Sequence, residues 1–173
     1  MSNIWHNVSP KRITPEDFLC VVEISKGSKK KYELDKETGY LMLDRILYTS
    51  THYPANYGFI PKTLADDGDP LDVLVLCNET LVPMVLVQCY PIGVINMIDN
   101  GKMDQKIIAI PFEDPNYNSY RSIELERVSA CGRFRISEHY SDLVAELIDE
   151  DAAGVCLADV CRELSECLAH EPC

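Results

Sequence analysis

The sequence is short of positive charge. Its 173 residues include 16 lysines and arginines against 28 aspartates and glutamates, which gives a formal net charge of −12. Proteins that bind nucleic acid or anionic membranes through their general surface need a basic face, because phosphate groups attract Lys and Arg. The deficit argues against both classes of protein. An acidic protein can still bind an anionic substrate where metal ions bridge the two.

Long apolar segments are missing as well. The most apolar region, residues 81–98, is interrupted by Pro83, Pro91 and Gly93, whereas a membrane-spanning helix needs about 20 consecutive apolar residues. The first residues of the chain lack the basic-then-apolar order of a signal peptide. We therefore expect a cytoplasmic protein without a membrane span.

Cysteine is plentiful, but the spacing that binds zinc is absent. The eight cysteines form no C-x₂-C pair, and the four histidines show no ligand spacing with them. Disulfides are rare in the cytoplasm, so Cys20, Cys77 and Cys89 are predicted to be small buried hydrophobes in strands. The four cysteines after residue 150 are predicted to lie on a helix face or in the tail.

The most distinctive feature that is present is an acidic cluster. Residues 66–72 carry four carboxylates with no Lys or Arg among them, directly before the apolar run 73–76. Like charges this close repel one another, and Mg²⁺ is the usual counter-ion because small hard cations take carboxylate oxygens. The turn residues Gly68 and Pro70 aim alternate side chains at a common point. The cluster predicts a metal site, with a solvated acidic turn before a strand as the alternative.

An EF-hand loop is excluded by the spacing. Such a loop has Gly at position 6 and Glu at position 12. When Asp67 is position 1, those positions hold Asp72 and Asn78, and when Asp66 is position 1, position 12 is Cys77.

The chain changes character after about residue 125. Before that point, short apolar or alternating runs separated by Gly, Pro and Asp turns predict strands, with no helices alternating between them, as in a small antiparallel barrel. Residues 126–143 and 151–168 have helical periodicity. We predict a mainly β, α+β fold in which a β-barrel is followed by two C-terminal helices, in a single domain of residues 1–173. The predicted strands are residues 18–24, 31–34, 41–45, 73–77, 85–90, 92–97 and 106–110.

Further charged residues in these strands complete a pattern. Taken singly, each acid is best placed on the surface, and neighbouring acids and bases can simply form salt bridges. Taken in order, they resemble the family I soluble inorganic pyrophosphatases over residues 13–110, and the chain length resembles the shorter bacterial-type enzymes. The motifs that carry the resemblance are Glu23, Lys31-Tyr32-Glu33, Asp44-Arg45, Tyr53-Pro54-Ala55-Asn56-Tyr57-Gly58, the run from Asp67 to Val75, Asp99, Asp104 and Lys106.

The resemblance implies a fold, a reaction and a set of roles. The fold is a five-stranded OB-like β-barrel with helices, the reaction is hydrolysis of pyrophosphate to two phosphates with several Mg²⁺ ions, and the assembly is a homo-oligomer, a hexamer. Asp69 is implied as the general base for the attacking water. The implied metal ligands are Asp67, Asp72, Asp104, Asp99 and Glu23, with Glu33 supporting them, and the implied phosphate-binding residues are Lys31, Arg45, Tyr57, Lys106 and Tyr140, with Tyr53 lining the same pocket.

The resemblance becomes weaker after about residue 111. Ser141 stands where a phosphate-binding Lys is expected, and the loss of one charge-assisted contact costs about 1.5–3 kcal/mol. Asn100 stands where an acidic residue is common. Two alternatives remain open: a catalytically weak relative with a regulatory role, and an OB-type nucleic-acid binder. The net charge of −12 argues against the second alternative, because such binders need a basic groove.

Overall fold

Strands dominate the part of the chain that the structure, a computed structural model, describes: residues 3–48, 50–65, 68–99, 102–118, 126–127, 134–135 and 153–155. No helix in this part has the length and apolar character needed to cross a membrane. The chain opens with a one-turn helix α1 (Ile4–Asn7) and a 3₁₀ turn (Pro10–Arg12). The strands are β1 (Phe18–Ile24), β2 (Lys30–Leu34), β3 (Leu41–Ile46), β4 (Asn56–Phe59), β5 (Asp72–Val75), β6 (Leu86–Asp99), β7 (Lys102–Pro111), β8 (Glu126–Arg127), β9 (Phe134–Arg135) and β10 (Ala153–Val155).

Five strands close into a barrel. Hydrogen-bonded neighbours follow the order β1, β4, β5, β7 and β6, and β6 pairs back with β1 through registers such as Phe18↔Cys89. Strands β2 and β3 form a separate antiparallel hairpin. The predicted five-stranded barrel in a mainly β fold is confirmed.

One pair in the barrel departs from the predicted antiparallel arrangement. Strands β5 and β7 are parallel, with Asp72 opposite Lys106. Parallel neighbours need a long crossover connection between them, and β6 supplies it here. The prediction of an entirely antiparallel barrel is therefore wrong for this pair, and the parallel register is what places Asp72 beside Lys106.

Two other strands differ from the prediction. Strand β4 was not among the predicted strands, because Asn and Gly are uncommon in strands. Strand β6 was predicted as two strands divided at Pro91, but it continues through a register shift between Pro91 and Gly93. A bulge accommodates proline because the ladder already lacks a hydrogen bond there.

Two of the three clusters of buried side chains meet at β1. All seven side chains of β1 are buried. Phe18 packs inside the barrel with residues such as Ile107, whereas Val21 packs outside it against Leu34 of the hairpin and Phe59. Because both faces of β1 are covered, the strand is almost continuously apolar instead of alternating.

The cysteines in the described part of the barrel are buried, as predicted. Cys20, Cys77 and Cys89 are free thiols, and burial raises the pKa of the Cys20 thiol well above its usual range. Cys77 lies two residues beyond β5 rather than within a strand.

The two predicted C-terminal helices lie mostly outside the described residues. The seven described positions within their spans are extended rather than helical: β8 pairs with β9, and β10 pairs with β6 at Gly154↔Ile95. At these positions strand pairing replaces the helix that the local periodicity favours.

Candidate active site

Four predicted site residues meet at one end of the barrel around Lys106. Its Nζ lies 2.9 Å from Asp72 Oδ2 and 3.0 Å from Asp104 Oδ1. It also donates a hydrogen bond of 3.1 Å to the Tyr57 hydroxyl, which in turn donates a short hydrogen bond to Asp72. The geometry follows from the sheet, because Asp104 and Lys106 are two residues apart on one face and Asp72 is the register partner of Lys106.

The charges of this cluster are not balanced. One ammonium group faces two carboxylates, and all three side chains are less than a third exposed. Burial raises the pKa of Asp72 despite the opposing effect of Lys106. For Lys106, burial acts to lower the pKa, but the charge of Asp72 and the hydrogen bonds outweigh it, so the pKa is raised and the amine stays protonated. The excess of buried carboxylate favours a further cation at this position.

Glu23 reaches the same region through a β-bulge. Val22 pairs with Gly58 and Ile24 pairs with Tyr57, so Glu23 is the extra residue of β1. Bulges turn a side chain away from the direction that strand alternation would give it. The side chain is buried, with the residue 8% exposed, and its Oε1 accepts a 2.7 Å hydrogen bond from the Leu34 N–H. Burial, with help from the negative charges of Asp72 and Glu33, raises the pKa of Glu23 to about 7.

The hairpin β2–β3 carries the second group of predicted residues. Lys31 Nζ lies 2.6 Å from Glu33 Oε1 and 3.7 Å from Asp44 Oδ2. Arg45 contacts the same Asp44 oxygen at 3.1 Å. Asp44 is the extra residue of a bulge in β3, because Lys31 pairs with Arg45 and Tyr32 pairs with Leu43. The sequence prediction gave Asp44 no role, although Asp44-Arg45 was part of the motif.

Tyr53 connects the hairpin with the barrel cluster. Its ring lies edge-on to Tyr57, with centroids 5.3 Å apart. Burial raises the pKa of the Tyr53 phenol, and the positive charges of Lys31, Lys106 and Arg45 oppose that rise. Cations from both groups thus act on one phenol, which places the hairpin and the barrel cluster around a common space.

Asp69 is held in a different way from the other predicted residues. It lies in the loop before β5, where Gly68 has a φ of +92° and the Ala65 N–H donates to the Asp69 carbonyl. Its side chain is 70% exposed, and Oδ1 is 2.7 Å from Lys36 Nζ rather than beside Lys106. Sequence reasoning missed Lys36 because nothing local connects it to a residue 33 positions away.

The other predicted residues lie outside the described part. These are Asp67, the side chain of Asp99 at the end of β6, Tyr140 and the substituted Ser141. Within the described residues, no three His, Cys, Asp or Glu side chains are close enough to hold a metal ion by themselves. Because the predicted ligand set includes Asp67 and Asp99, the metal site remains a prediction.

The closed barrel and its cluster of carboxylates and cations define a small β-barrel protein with a charged site. Residues 20–146 match the family model described as Inorganic pyrophosphatase, which is most of the chain. The chain belongs to the inorganic pyrophosphatase family, and the resemblance predicted from the motifs is confirmed.

Relatives from distant organisms are also named as inorganic pyrophosphatases. The chain is 44% identical to soluble inorganic pyrophosphatase 2 of Chlamydomonas reinhardtii over 165 residues, covering 91% of this chain and 86% of that protein. It is 45% identical to the inorganic pyrophosphatase of Aquifex pyrophilus over 144 residues, 80% of each. It is 52% identical to a soluble inorganic pyrophosphatase of Oryza sativa, but it spans only 56% of that protein's length.

Solved structures match the fold. The inorganic pyrophosphatase from Helicobacter pylori superposes with a TM-score of 0.72 at 34% identity, covering 90% of this chain and 93% of that one. The Coxiella burnetii enzyme gives a TM-score of 0.76 at 31% identity, covering 95% of this chain and all of that one. The barrel observed here is therefore the barrel of the family.

The raised pKa of Glu23 predicts how the stability of the metal-free protein depends on pH. A carboxyl group with a pKa of about 7 when folded, against 4.5 for an ordinary Glu, binds more protons in the folded state between these values. The stability that it contributes is complete below pH 4.5 and is lost as pH rises through 7. At 1.36 kcal/mol per pKa unit, the loss is about 3 kcal/mol.

Urea unfolding in EDTA between pH 4.5 and 8 measures this effect. Relative to the uncharged Glu23→Gln variant, the wild type should lose about 3 kcal/mol of unfolding free energy as pH rises. The exposed Glu16→Gln variant is the control and should follow the wild type. A constant difference between wild type and Glu23→Gln at every pH would contradict the prediction.

Proposed function

We propose that this protein hydrolyses inorganic pyrophosphate to two phosphates in a Mg²⁺-dependent reaction with Asp69 as the general base. The observation that carries the proposal is the arrangement around Lys106, in which a buried ammonium shares two carboxylates beside the cationic hairpin. Such a pocket can accept both a polyanion and its counter-ions. Family membership supports the same reaction.

The cations of the pocket are suited to phosphate oxygens. Lys31, Arg45 and Lys106 each contact a carboxylate in the free protein. Guanidinium and ammonium groups form charge-assisted hydrogen bonds with phosphate oxygens in the same way. We propose that they exchange their carboxylate partners for phosphate oxygens when the substrate binds, aided by the hydroxyl groups of Tyr57 and Tyr140.

The carboxylates fit magnesium. The proposed ligands offer only hard oxygen donors, which Mg²⁺ prefers. Burial raises the pKa values of Glu23 and Asp72, so a cation that binds beside them would stabilise their charged forms. When bound, Mg²⁺ supplies neutralisation of the substrate's charge and makes water more acidic. The proposed ligands are Glu23, Glu33, Asp67, Asp72, Asp99 and Asp104.

The proposed role of Asp69 is to take the proton from the attacking water. Its carboxylate is largely exposed, and Lys36 lies within 2.7 Å of one of its oxygens. A largely exposed carboxylate outside the crowded Lys106 cluster is suited to take a proton from a water molecule that arrives with the substrate.

Phosphate release from pyrophosphate tests the proposal. We expect turnover within the ordinary enzyme range of ~1–10³ s⁻¹ with Mg²⁺, no release in EDTA, and recovery when Mg²⁺ is added back. Such activity would also show that Ser141 is tolerated in place of Lys. No release from folded, Mg²⁺-loaded protein would favour a catalytically weak relative with a regulatory role. Binding of single-stranded nucleic acid at low salt would favour the OB-type alternative.

We also propose a homo-oligomer, a hexamer, in the cytoplasm. Exposed apolar side chains on and beside β3 support self-association: Tyr40, Met42 and Ile46 are each at least 60% exposed. Apolar surface of this kind is a common feature of protein interfaces. Sedimentation equilibrium of the full chain would contradict the assembly if it gave the monomer mass.

A further inference from the structure

We propose that Lys36 is a positioning residue for Asp69, and that it is held in place by the N-terminal turn of the chain. The inference rests on the proposed function, in which Asp69 is the general base. It gives a task to two features outside the charged pocket, the turn between β2 and β3 and the one-turn helix α1.

Lys36 contacts two elements at once. Its Nζ lies 2.7 Å from Asp69 Oδ1 and 5.3 Å from the centre of the Trp5 ring. A cation over the face of an indole is attracted by the ring's electrons. The ammonium group is therefore held from one side by α1 and contacts the Asp69 loop on the other.

The N-terminal turn is itself anchored to the barrel. The Asn3 side chain donates a 2.8 Å hydrogen bond to the Lys36 carbonyl and accepts one of 3.0 Å from the Trp5 N–H. The Trp5 ring packs against Phe59, which is buried in β4, with centroids 5.7 Å apart. A continuous series of contacts thus runs from the barrel core through Trp5 and Lys36 to Asp69.

Asp69 needs such an anchor to act as a base. Its side chain is 70% exposed, so an unrestrained carboxylate would exchange among rotamers in solvent. The bond to Lys36 restrains one carboxylate oxygen and so orients the group that takes the proton of the attacking water. A general base that is oriented by a third group is a recurring arrangement in enzymes.

The alternative is an ordinary surface ion pair. Exposed pairs of this kind contribute little to folding stability, so both readings expect Lys36→Met to unfold in urea close to the wild type. The two interpretations differ in the catalytic rate that they predict for Lys36→Met. Misplacement of a catalytic group by about 1 Å can cost ~10²-fold, and because one exposed contact restrains Asp69 only partly, we expect kcat to fall about tenfold.

The experiment compares Lys36→Met, Lys36→Arg and the exposed control Lys11→Met in the full chain with Mg²⁺ and pyrophosphate. We expect Lys36→Met to lower kcat about tenfold with KM within about twofold. Lys36→Arg should restore most of the loss because it keeps the charge over Trp5, and Lys11→Met should match the wild type.

A double-mutant cycle separates positioning from a direct role. If Lys36 acts only through Asp69, Lys36→Met should cause no further loss of kcat in an Asp69→Asn background. Trp5 is the only tryptophan of the chain, so its emission reports the Lys36 contact without activity. That emission should shift in Lys36→Met and stay unchanged in Lys11→Met.

Each contrary result is informative. With the wild type active, any of four results for Lys36→Met would overturn the positioning role. These are an unchanged kcat, an unchanged Trp5 emission, an equal loss of kcat in the Asp69→Asn background, and a rise in KM alone. Absence of phosphate release from the wild type would overturn the proposed function, and this inference with it.

Discussion

Asp69→Asn should lower kcat for pyrophosphate by ~10²–10⁴-fold, the contribution typical of a general base. Asn has nearly the same shape and can still accept the hydrogen bond from Lys36, which is 2.7 Å from the Asp69 oxygen in the wild type. It cannot take a proton from water. The loss should therefore appear in kcat, while KM changes little. Steady-state phosphate release at saturating Mg²⁺ is the measurement.

The control for Asp69→Asn is Glu113→Gln. It removes one negative charge from an exposed residue in the loop after β7 that has no role in the proposed machinery, and it should leave kcat within about twofold of the wild type. If Asp69→Asn loses less than about tenfold, a range below the usual contribution of a base, then Asp69 is not the base. That result would still be consistent with Mg²⁺-dependent hydrolysis by the wild type.

The barrel cluster was predictable from sequence because its geometry is simple. Asp104 and Lys106 are two residues apart in one strand, and strand alternation places them on one face. Asp72 begins the apolar run that became β5. The motif order gave these residues and Tyr57. In the structure, Lys106 Nζ donates a hydrogen bond to each of the other three side chains.

The bulges could not be predicted from the pattern. Glu23 and Asp44 are each the extra residue where two paired strands lose register. Strand alternation assigns a face by counting residues, and a bulge breaks the count at the position where it occurs. The direction of these two carboxylates therefore depends on long-range pairing, of β1 with β4 and of β2 with β3.

The contacts of Lys36 also depend on parts of the chain that are distant in sequence. It is a solvated turn residue by every local criterion, and its partners Trp5 and Asp69 lie 31 positions before it and 33 after it. Only closure of the barrel brings α1, the hairpin turn and the loop before β5 together. At Ala153–Val155, three described positions within the second predicted helix, pairing with β6 decides the local structure instead of the local periodicity.

Gly58→Ala should destabilise the protein by more than about 3 kcal/mol, because the added methyl group has no space. A Cβ at this position would lie 1.9 Å from the Val21 carbonyl oxygen, 2.7 Å from its carbonyl carbon and 2.9 Å from Val22 Cα. All three are backbone atoms of β1, so no side chain can move aside. Strands β1 and β4 would have to separate next to the bulge that carries Glu23.

Gly27→Ala is the control for the urea unfolding of Gly58→Ala. Gly27 has a φ of +79° and nothing within 4 Å of an added Cβ, so alanine there costs only the backbone strain of about 1–2 kcal/mol. A Gly58→Ala loss no larger than that of Gly27→Ala would contradict the steric argument. Because the same displacement moves Glu23, a variant that still folds should also lose Mg²⁺-dependent turnover, whereas Gly27→Ala should retain it. Close approach of two backbones thus links the stability of the barrel to the geometry of its charged pocket.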